Sequence, residues 1–220
     1  MTLPDEKAKH VYRALRAHPG DKIEVVDGGG RLFVAELLGG REATVAEEKA
    51  IDFADEGNVI LYQAVPKGRR MDLVVEKATE LGVGCIVPLL TERSVAKPSV
   101  GDGKVRRWRR VAEAAARQSL RLRVPEVGEV VSFAEAVREA GKDGLLLHNG
   151  PGLSPLEAVV SVETARLFVG PEGGWSEYEI SAAERRGLSL ASLGPYRLRS
   201  ETAGIVAVTR ACTVLEHIRS

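Results

Sequence analysis

Apolar and polar residues alternate along this chain with two different periods, and the change of period divides it. In DKIEVVDGGGRLFVAELL (21–38) apolar positions recur at every second residue on both sides of DGGG, the pattern of two strands joined by a tight turn. A short helix over about residues 5–16 precedes this hairpin, and further strands are expected near 43–46 and 59–65. Together they predict a small β-rich domain spanning residues 1–66, with KGRR (67–70) as the linker to a second domain over 67–220. From Met71 the period lengthens. MDLVVEKATELG puts Met71, Val74, Val75, Ala78 and Leu81 on one helical face, and Gly82 suits the position just past the helix end. CIVPLL reads as a buried strand, and a basic helix covers 104–118. The apolar runs GLLLH (144–148), ARLFV (165–169) and LSLASL (188–193) are interleaved with three S-x-x-E capping boxes that open helices. These are Ser132/Glu135, Ser154/Glu157 with Pro155 at the first helical position, and Ser176/Glu179. The last segment, SETAGIVAVTRACTVLEHI, is apolar around most of its circumference, so it calls for burial on more than one side, in a core or against another subunit. Strands alternating with helices imply an α/β domain with a mainly parallel sheet.

Composition adds little to this picture until charge is located along the chain. The 220 residues carry 31 basic and 31 acidic side chains, so net charge names no partner. From Lys97 to Arg123, however, nine basic residues face only Asp102 and Glu113, while six acids and a single lysine occupy 42–58. One region suits a polyanion and the other does not. Cys85 and Cys212 lie far apart in apolar contexts and read as buried small hydrophobes in a reducing compartment. The four histidines form no pair at metal-ligand spacing, so no metal site is expected. Without a secretory leader or a long uncharged apolar run, the expectation is a cytoplasmic protein with no membrane partner.

In a parallel α/β sheet, ligands bind beyond the C-terminal ends of the strands. Three candidate loops leave consecutive strands there: LLLHNGPG, LFVGPEGGWS and LGPYRLRSETAG. Each contains a Gly-Pro or Pro-Gly element. Any one alone reads as a sharp turn; three together read as rigid backbone around one pocket. GxxxxGK[ST], GxGxxG after a strand and GxSxG are all missing, which disfavours an NTPase, a dinucleotide enzyme and a serine hydrolase. Glu172, set between two glycine-containing turns, makes GPEGG a poor phosphate cradle and fits a cationic or neutral ligand better.

LFVGPEGGWSEYEI and LGPYRLRSETA closely resemble the two cofactor-loop signatures of the SPOUT methyltransferases, and most closely the family that methylates N3 of a uridine in 16S ribosomal RNA. KGRRMDLVVEKATELGV, PLLTERSV and RWRRVAEAAARQSLRLRVPEV are similar to the same family's middle section, and the N-terminal module, with HVYRALR, to its PUA-like RNA-binding domain. Nearly the whole chain is covered. Two departures stand out. The family's usual Arg-aromatic first strand is not found in MTLPDEKAKH, and Ala114 and Leu120 stand where Glu and Gly are expected. The resemblance implies a PUA-like β-barrel followed by a trefoil-knotted α/β methyltransferase domain, S-adenosylmethionine as cofactor, a homodimer, and 16S ribosomal RNA within the 30S subunit as partner.

Carried onto this sequence, the resemblance implies a cofactor pocket lined by Leu147, His148 and Asn149, by Val169, Gly170, Pro171, Glu172, Gly173 and Gly174, and by Leu193, Gly194, Leu198, Arg199, Glu201, Thr202 and Ala203. Arg199 and Glu172 are the candidate catalytic residues. Arg199 either stabilises the developing uracil anion or only pairs with Glu201 or Glu172; Glu172 either takes part in proton removal or, the preferred reading, orients its loop. RNA contacts are expected from Lys67, Arg69, Arg70, Arg93, Arg106, Arg107, Arg109, Arg110, Arg121 and Arg123. Trp108 and Trp175 are candidates for base stacking, with a packed Trp108 the better reading. The rival functions are a non-catalytic RNA binder, a small-molecule α/β enzyme, and an RNA methyltransferase of this superfamily with another target nucleotide.

Overall fold

The computed structural model describes residues 1–27, 31–49, 58–95, 103–160 and 164–219; the glycines of the DGGG turn and Lys97 lie outside the described residues. The chain divides into two compact units, Met1–Phe53 and Ala54–Ser220.

In the first unit a short helix α1 (Asp5–Lys9) runs into a π-turn over His10–Ala14. Three strands, β1 (Lys22–Val26), β2 (Leu32–Gly39) and β3 (Glu42–Lys49), form an antiparallel sheet in that order. Val26 pairs with Leu32 across the expected hairpin. Ala35 and Leu37 of β2 are buried with Leu3, Ala8 and Ala43, while Glu36 and Leu38 point outward, as a strand of period two requires.

The second unit is a three-layer sandwich. Its strands are β4 (Val59–Ala64), β5 (Cys85–Leu90), β6 (Glu126–Val127), β7 (Val131–Ser132), β8 (Gly144–Leu147), β9 (Ala165–Val169) and β10 (Ser189–Ala191). They pair in parallel in the order β10-β8-β9-β4-β5-β6, with β7 also on β5. The helices are α2 (Arg70–Glu80), α3 (Lys104–Gln118), α4 (Phe133–Ala140), α5 (Leu156–Val159), α6 (Glu177–Arg185) and α7 (Ser200–Arg219). Alternation along the strands sorts the core into two faces. Val59, Leu61, Leu145, Leu147, Leu167 and Val169 pack with α2, α3 and α7, whereas Tyr62, Leu146 and Phe168 pack with α4 and α6. Tyr62 and Phe168 stack with ring centroids 4.4 Å apart.

Two expectations are corrected. The strand at 59–65, assigned above to the N-terminal module, is β4, which pairs with β5 on one side and β9 on the other. The boundary therefore falls ahead of it, and KGRR is not a linker: residues 67–69 belong to the loop leaving β4 and Arg70 opens α2. A run such as VILYQAV, apolar on both faces, belongs to a central parallel strand. The Ser154/Glu157 capping box also does not form: α5 begins at Leu156, its preceding residue is Pro155, and no side chain caps it. The other two boxes are present, Ser132 with Glu135 and Ser176 with Glu179.

α2 and α3 end in the same hydrogen-bonded turn. At the end of α2, Gly82 N–H reaches Thr79 O and Val83 N–H reaches Ala78 O; at the end of α3, Leu120 N–H reaches Arg117 O and Arg121 N–H reaches Ala116 O. The residue at the bend must take a positive φ. Gly82 does so at 97° without strain, but at the second bend Leu120 is forced to 57°. Its side chain is exposed and returns little packing energy. Replacing Leu120 with glycine is therefore expected to raise stability by about 1 kcal/mol, read as an increase in the urea midpoint at unchanged m-value. Gly204 in α7 is the opposite case. A Cβ there would overlap Gln63 Oε1, which is fully buried on β4. Gly204→Ala should cost about 1–3 kcal/mol on the same measurement, despite alanine's higher helix propensity.

Candidate active site

Strand order reverses between β4 and β9: the chain moves from β4 outward through β5 and β6, then to β8 on the other side. Loops leaving the C-terminal ends of the strands diverge at such a point and open a crevice. Here they line a cleft of about 340 Å³, within the size range of small-molecule sites. The loop after β8 supplies Leu147, His148 and Asn149, and the loop after β9 runs from Val169 to Trp175. Ser192, Leu193, Gly194, Tyr196, Arg197, Leu198, Ser200 and Ala203 come from the loop after β10 and the start of α7, and Arg93 from the loop after β5.

The glycine loop GPEGGW is the hub of this arrangement, bonded to four other parts of the site. Trp175 Nε1 donates to Leu147 O at 2.9 Å, fixing it to β8. Arg93 donates to the carbonyls of Gly173 and Trp175, both at 3.1 Å, from the β5 side. Ser200 Oγ donates to Gly170 O at 2.6 Å, and Arg197 donates to Glu172 O at 3.1 Å, both from the third loop. Glu172 itself reaches towards β4: its Oε1 accepts the Lys67 N–H at 3.1 Å and pairs with Arg70 at 3.3 Å. Arg70 also pairs with Glu201 at 3.5 Å, so one guanidinium spans the glycine loop and the first turn of α7. Close packing explains the glycines. A Cβ on Gly170 would press on the Trp175 ring at 3.1 Å, and one on Gly173 would meet Arg93 at 3.2 Å. The capping box contributes as well, because buried Glu179 accepts the N–H of Glu92 as well as that of Ser176.

All the residues expected from the first two loops line the cleft, with Leu193, Gly194, Leu198 and Ala203 of the third; Arg199, Glu201 and Thr202 are not among its lining residues. The two carboxylates pair with Arg70 rather than with Arg199, whose side chain is exposed. Trp175, expected as a stacking residue, is instead a buried wall of the cleft, and Ser192, Tyr196, Arg197, Ser200 and the Gln63 behind them are not among the expected site residues. The one legible signal among them is Gln63, a polar residue inside the apolar run VILYQAV.

The expected RNA-binding residues divide. Arg121 is only 8 % exposed and donates to Thr79 O and Val83 O, closing the end of α2. It is a structural residue, not an RNA contact. Arg93 and Arg70 are engaged in the glycine loop as described; Arg107 pairs with Asp72, and Arg109 with Glu129 and Val127 O. Lys67, Arg69, Arg106, Arg110 and Arg123 are exposed. Trp108 and Trp175 are both buried, so neither is free to stack on a base. Burial pushes the thiols of Cys85 and Cys212 up to about 11, which leaves them protonated and unreactive at neutral pH. Among the described residues no group of three or more His, Cys, Asp or Glu is placed to hold a metal, and no helix is long and apolar enough to cross a membrane.

Comparison with known proteins agrees with this geometry. Residues 54–211 match the family described as RNA methyltransferase domain, and residues 3–48 match the RNA methyltransferase PUA domain. The fold and its crevice of loops thus define an RNA methyltransferase carrying an N-terminal PUA domain. A ribosomal RNA small subunit methyltransferase E from Synechocystis is 35 % identical over 98 % of this chain and 74 % of its own length, and one from Aquifex aeolicus is 33 % identical over 95 % and 92 %. A solved structure of the Neisseria gonorrhoeae enzyme of that name, bound to S-adenosyl methionine, is 30 % identical with a TM-score of 0.86, covering 97 % of this chain and 91 % of its own. A putative methyltransferase from Legionella pneumophila, also in complex with this cofactor, is 32 % identical with a TM-score of 0.81, covering 99 % and 91 %. The chain belongs to the ribosomal RNA small subunit methyltransferase E family.

The Glu172 carboxylate ties the glycine loop to the β4 exit, and the partially exposed ion pair with Arg70 adds less than a buried one. Glu172→Ala should lower stability by about 1–2 kcal/mol in urea denaturation, and Glu172→Gln, which keeps an acceptor for Lys67 N–H, by less than half as much.

Proposed function

We propose that this protein transfers the methyl group of S-adenosylmethionine to N3 of a uridine in 16S ribosomal RNA, acting as a homodimer on the 30S subunit in the cytoplasm. The observation that carries this reading is the cleft itself: three successive strand-exit loops bring glycines, small residues and apolar side chains to one open cleft. Its residues fit the cofactor. Gly170, Gly173 and Gly174 line the cleft without side chains, and Leu147, Val169, Leu193 and Leu198 add apolar walls suited to an adenine. When bound, the cofactor supplies a methyl group already activated on sulfur.

What remains for the protein is alignment and charge. Uracil N3 carries an imide proton that passes to solvent water as the N3–methyl bond replaces the N3–H bond, and its loss spreads negative charge onto O2 and O4. Arg199 is assigned to stabilise that charge; its exposed guanidinium is not taken up by Glu172 or Glu201. Glu172 orients the glycine loop through Lys67 and Arg70. Arg106 and Arg110, one turn apart on the outer face of α3, are assigned to phosphate contacts, with Lys67, Arg69 and Arg123. The homodimer is supported by Ile205 and Val206 of α7, which their own chain leaves half buried. A trefoil knot is supported by the path of the chain from edge strand β10 back to α7, which packs on central strands β4 and β9.

Incubation of the protein with 30S particles and methyl-labelled cofactor, followed by mapping of the modified nucleotide, tests this reading. Label on N3 of one uridine of 16S RNA is expected; no label in 16S RNA at any assembly state overturns it. Arg199→Lys should lower kcat by at least about tenfold while cofactor affinity stays within about twofold, measured by titration calorimetry. Unchanged turnover removes Arg199 from the chemistry.

A further inference from the structure

Tyr196 is the most exposed large apolar side chain among the described residues, 81 % accessible, and it lines the mouth of the cleft. Its backbone is not free to fold the ring away. Before it, Ser192 Oγ bonds both Gly194 N–H and Gly194 O at 3.1 Å, Gly194 takes φ 123°, and Pro195 restricts the next step. After it, Arg197 is bonded to Glu172 O, and Ser200 to Gly170 O. The chain thus holds an aromatic ring in water on a segment fastened at both ends, so little ordering cost remains when something covers it. Two arginines follow it closely in the chain: Arg197, which also lines the cleft, and Arg199, which is exposed. An exposed aromatic face on a segment that also carries two exposed arginines matches one ligand chemistry, a nucleobase on a phosphate backbone.

We propose that Tyr196 is the stacking platform on which a nucleobase of the RNA substrate rests as it enters the cleft. The proposal rests on the methyltransferase reading above and adds to it a residue that determines RNA affinity rather than cofactor affinity. The ring supplies the contact, and its hydroxyl, which makes no hydrogen bond among the described residues, is not required.

The test uses the full-length protein with 30S particles and compares Tyr196→Ala, Tyr196→Phe and, as a control, Tyr178→Ala, a second exposed tyrosine that does not line the cleft. Tyr196→Ala is expected to raise KM for the particle about tenfold or more, with cofactor Kd, sedimentation coefficient and urea midpoint unchanged. Tyr196→Phe and Tyr178→Ala are expected to match wild type. An unchanged KM in Tyr196→Ala overturns the proposal. So does a loss of cofactor affinity, which makes the ring a wall of the cofactor site, or a smaller sedimenting species, which makes it a subunit contact. A loss shared by Tyr196→Phe also overturns it, because the hydroxyl then carries the effect. If wild type itself puts no label into ribosomal RNA, the methyltransferase reading fails first and takes this proposal with it; label from wild type with no change in Tyr196→Ala fails the proposal alone.

Discussion

One hydroxyl group holds the cleft together. Ser200 Oγ accepts a hydrogen bond from Gln63 Nε2 at 2.9 Å and donates to Gly170 O at 2.6 Å, and Ser200 is also the first residue of α7. The central strand β4, the glycine loop after β9 and the last helix therefore meet at a single buried atom. Gln63 Nε2 is shared with Ala64 O, and Gly204 has no side chain because Gln63 occupies that space. A polar chain of this kind is expensive to leave half made in a low-dielectric interior, so its members fix one another's positions.

Around that point the glycine loop is bonded outward to every neighbouring strand exit, and this explains why a carboxylate sits in a glycine turn. Glu172 is not aimed at an anion. It accepts the Lys67 N–H just ahead of α2, where the helix dipole also favours negative charge, and shares Arg70 with Glu201. The side chain fastens the loop to β4, while the adjoining backbone is left to line the cleft. Rigid loops on a rigid sheet are what alignment of a methyl donor with a weak nucleophile demands.

Much of this was legible from local pattern. The period change at Met71, the helix over 104–118, the strands ARLFV and CIVPLL and two of three capping boxes are set by nearest-neighbour chemistry, and they stand as read. The misreadings share a cause. VILYQAV was attached to the wrong unit because a strand's partners are not written in its own residues. Ser154 has the right neighbour at Glu157 but lies where Pro155 and the bridge to Ser192 set the backbone instead. Arg121 looks like its neighbours in the basic stretch and Arg93 like any surface arginine ahead of it, yet one closes α2 and the other braces the glycine loop.

The sequence by itself determined the α/β grammar, the three loops that carry the site, and the resemblance that assigns the family, because turns, caps and periodicity are local. Only the tertiary structure decided which charges are spent on the fold and which face solvent. A guanidinium's partner can lie 102 residues away, as Arg70 and Glu172 do, and burial is a property of the packed chain rather than of the residue. The same reason left Tyr196 unremarked in the sequence: nothing in GPYRLR says that its ring is held open at the mouth of a cleft.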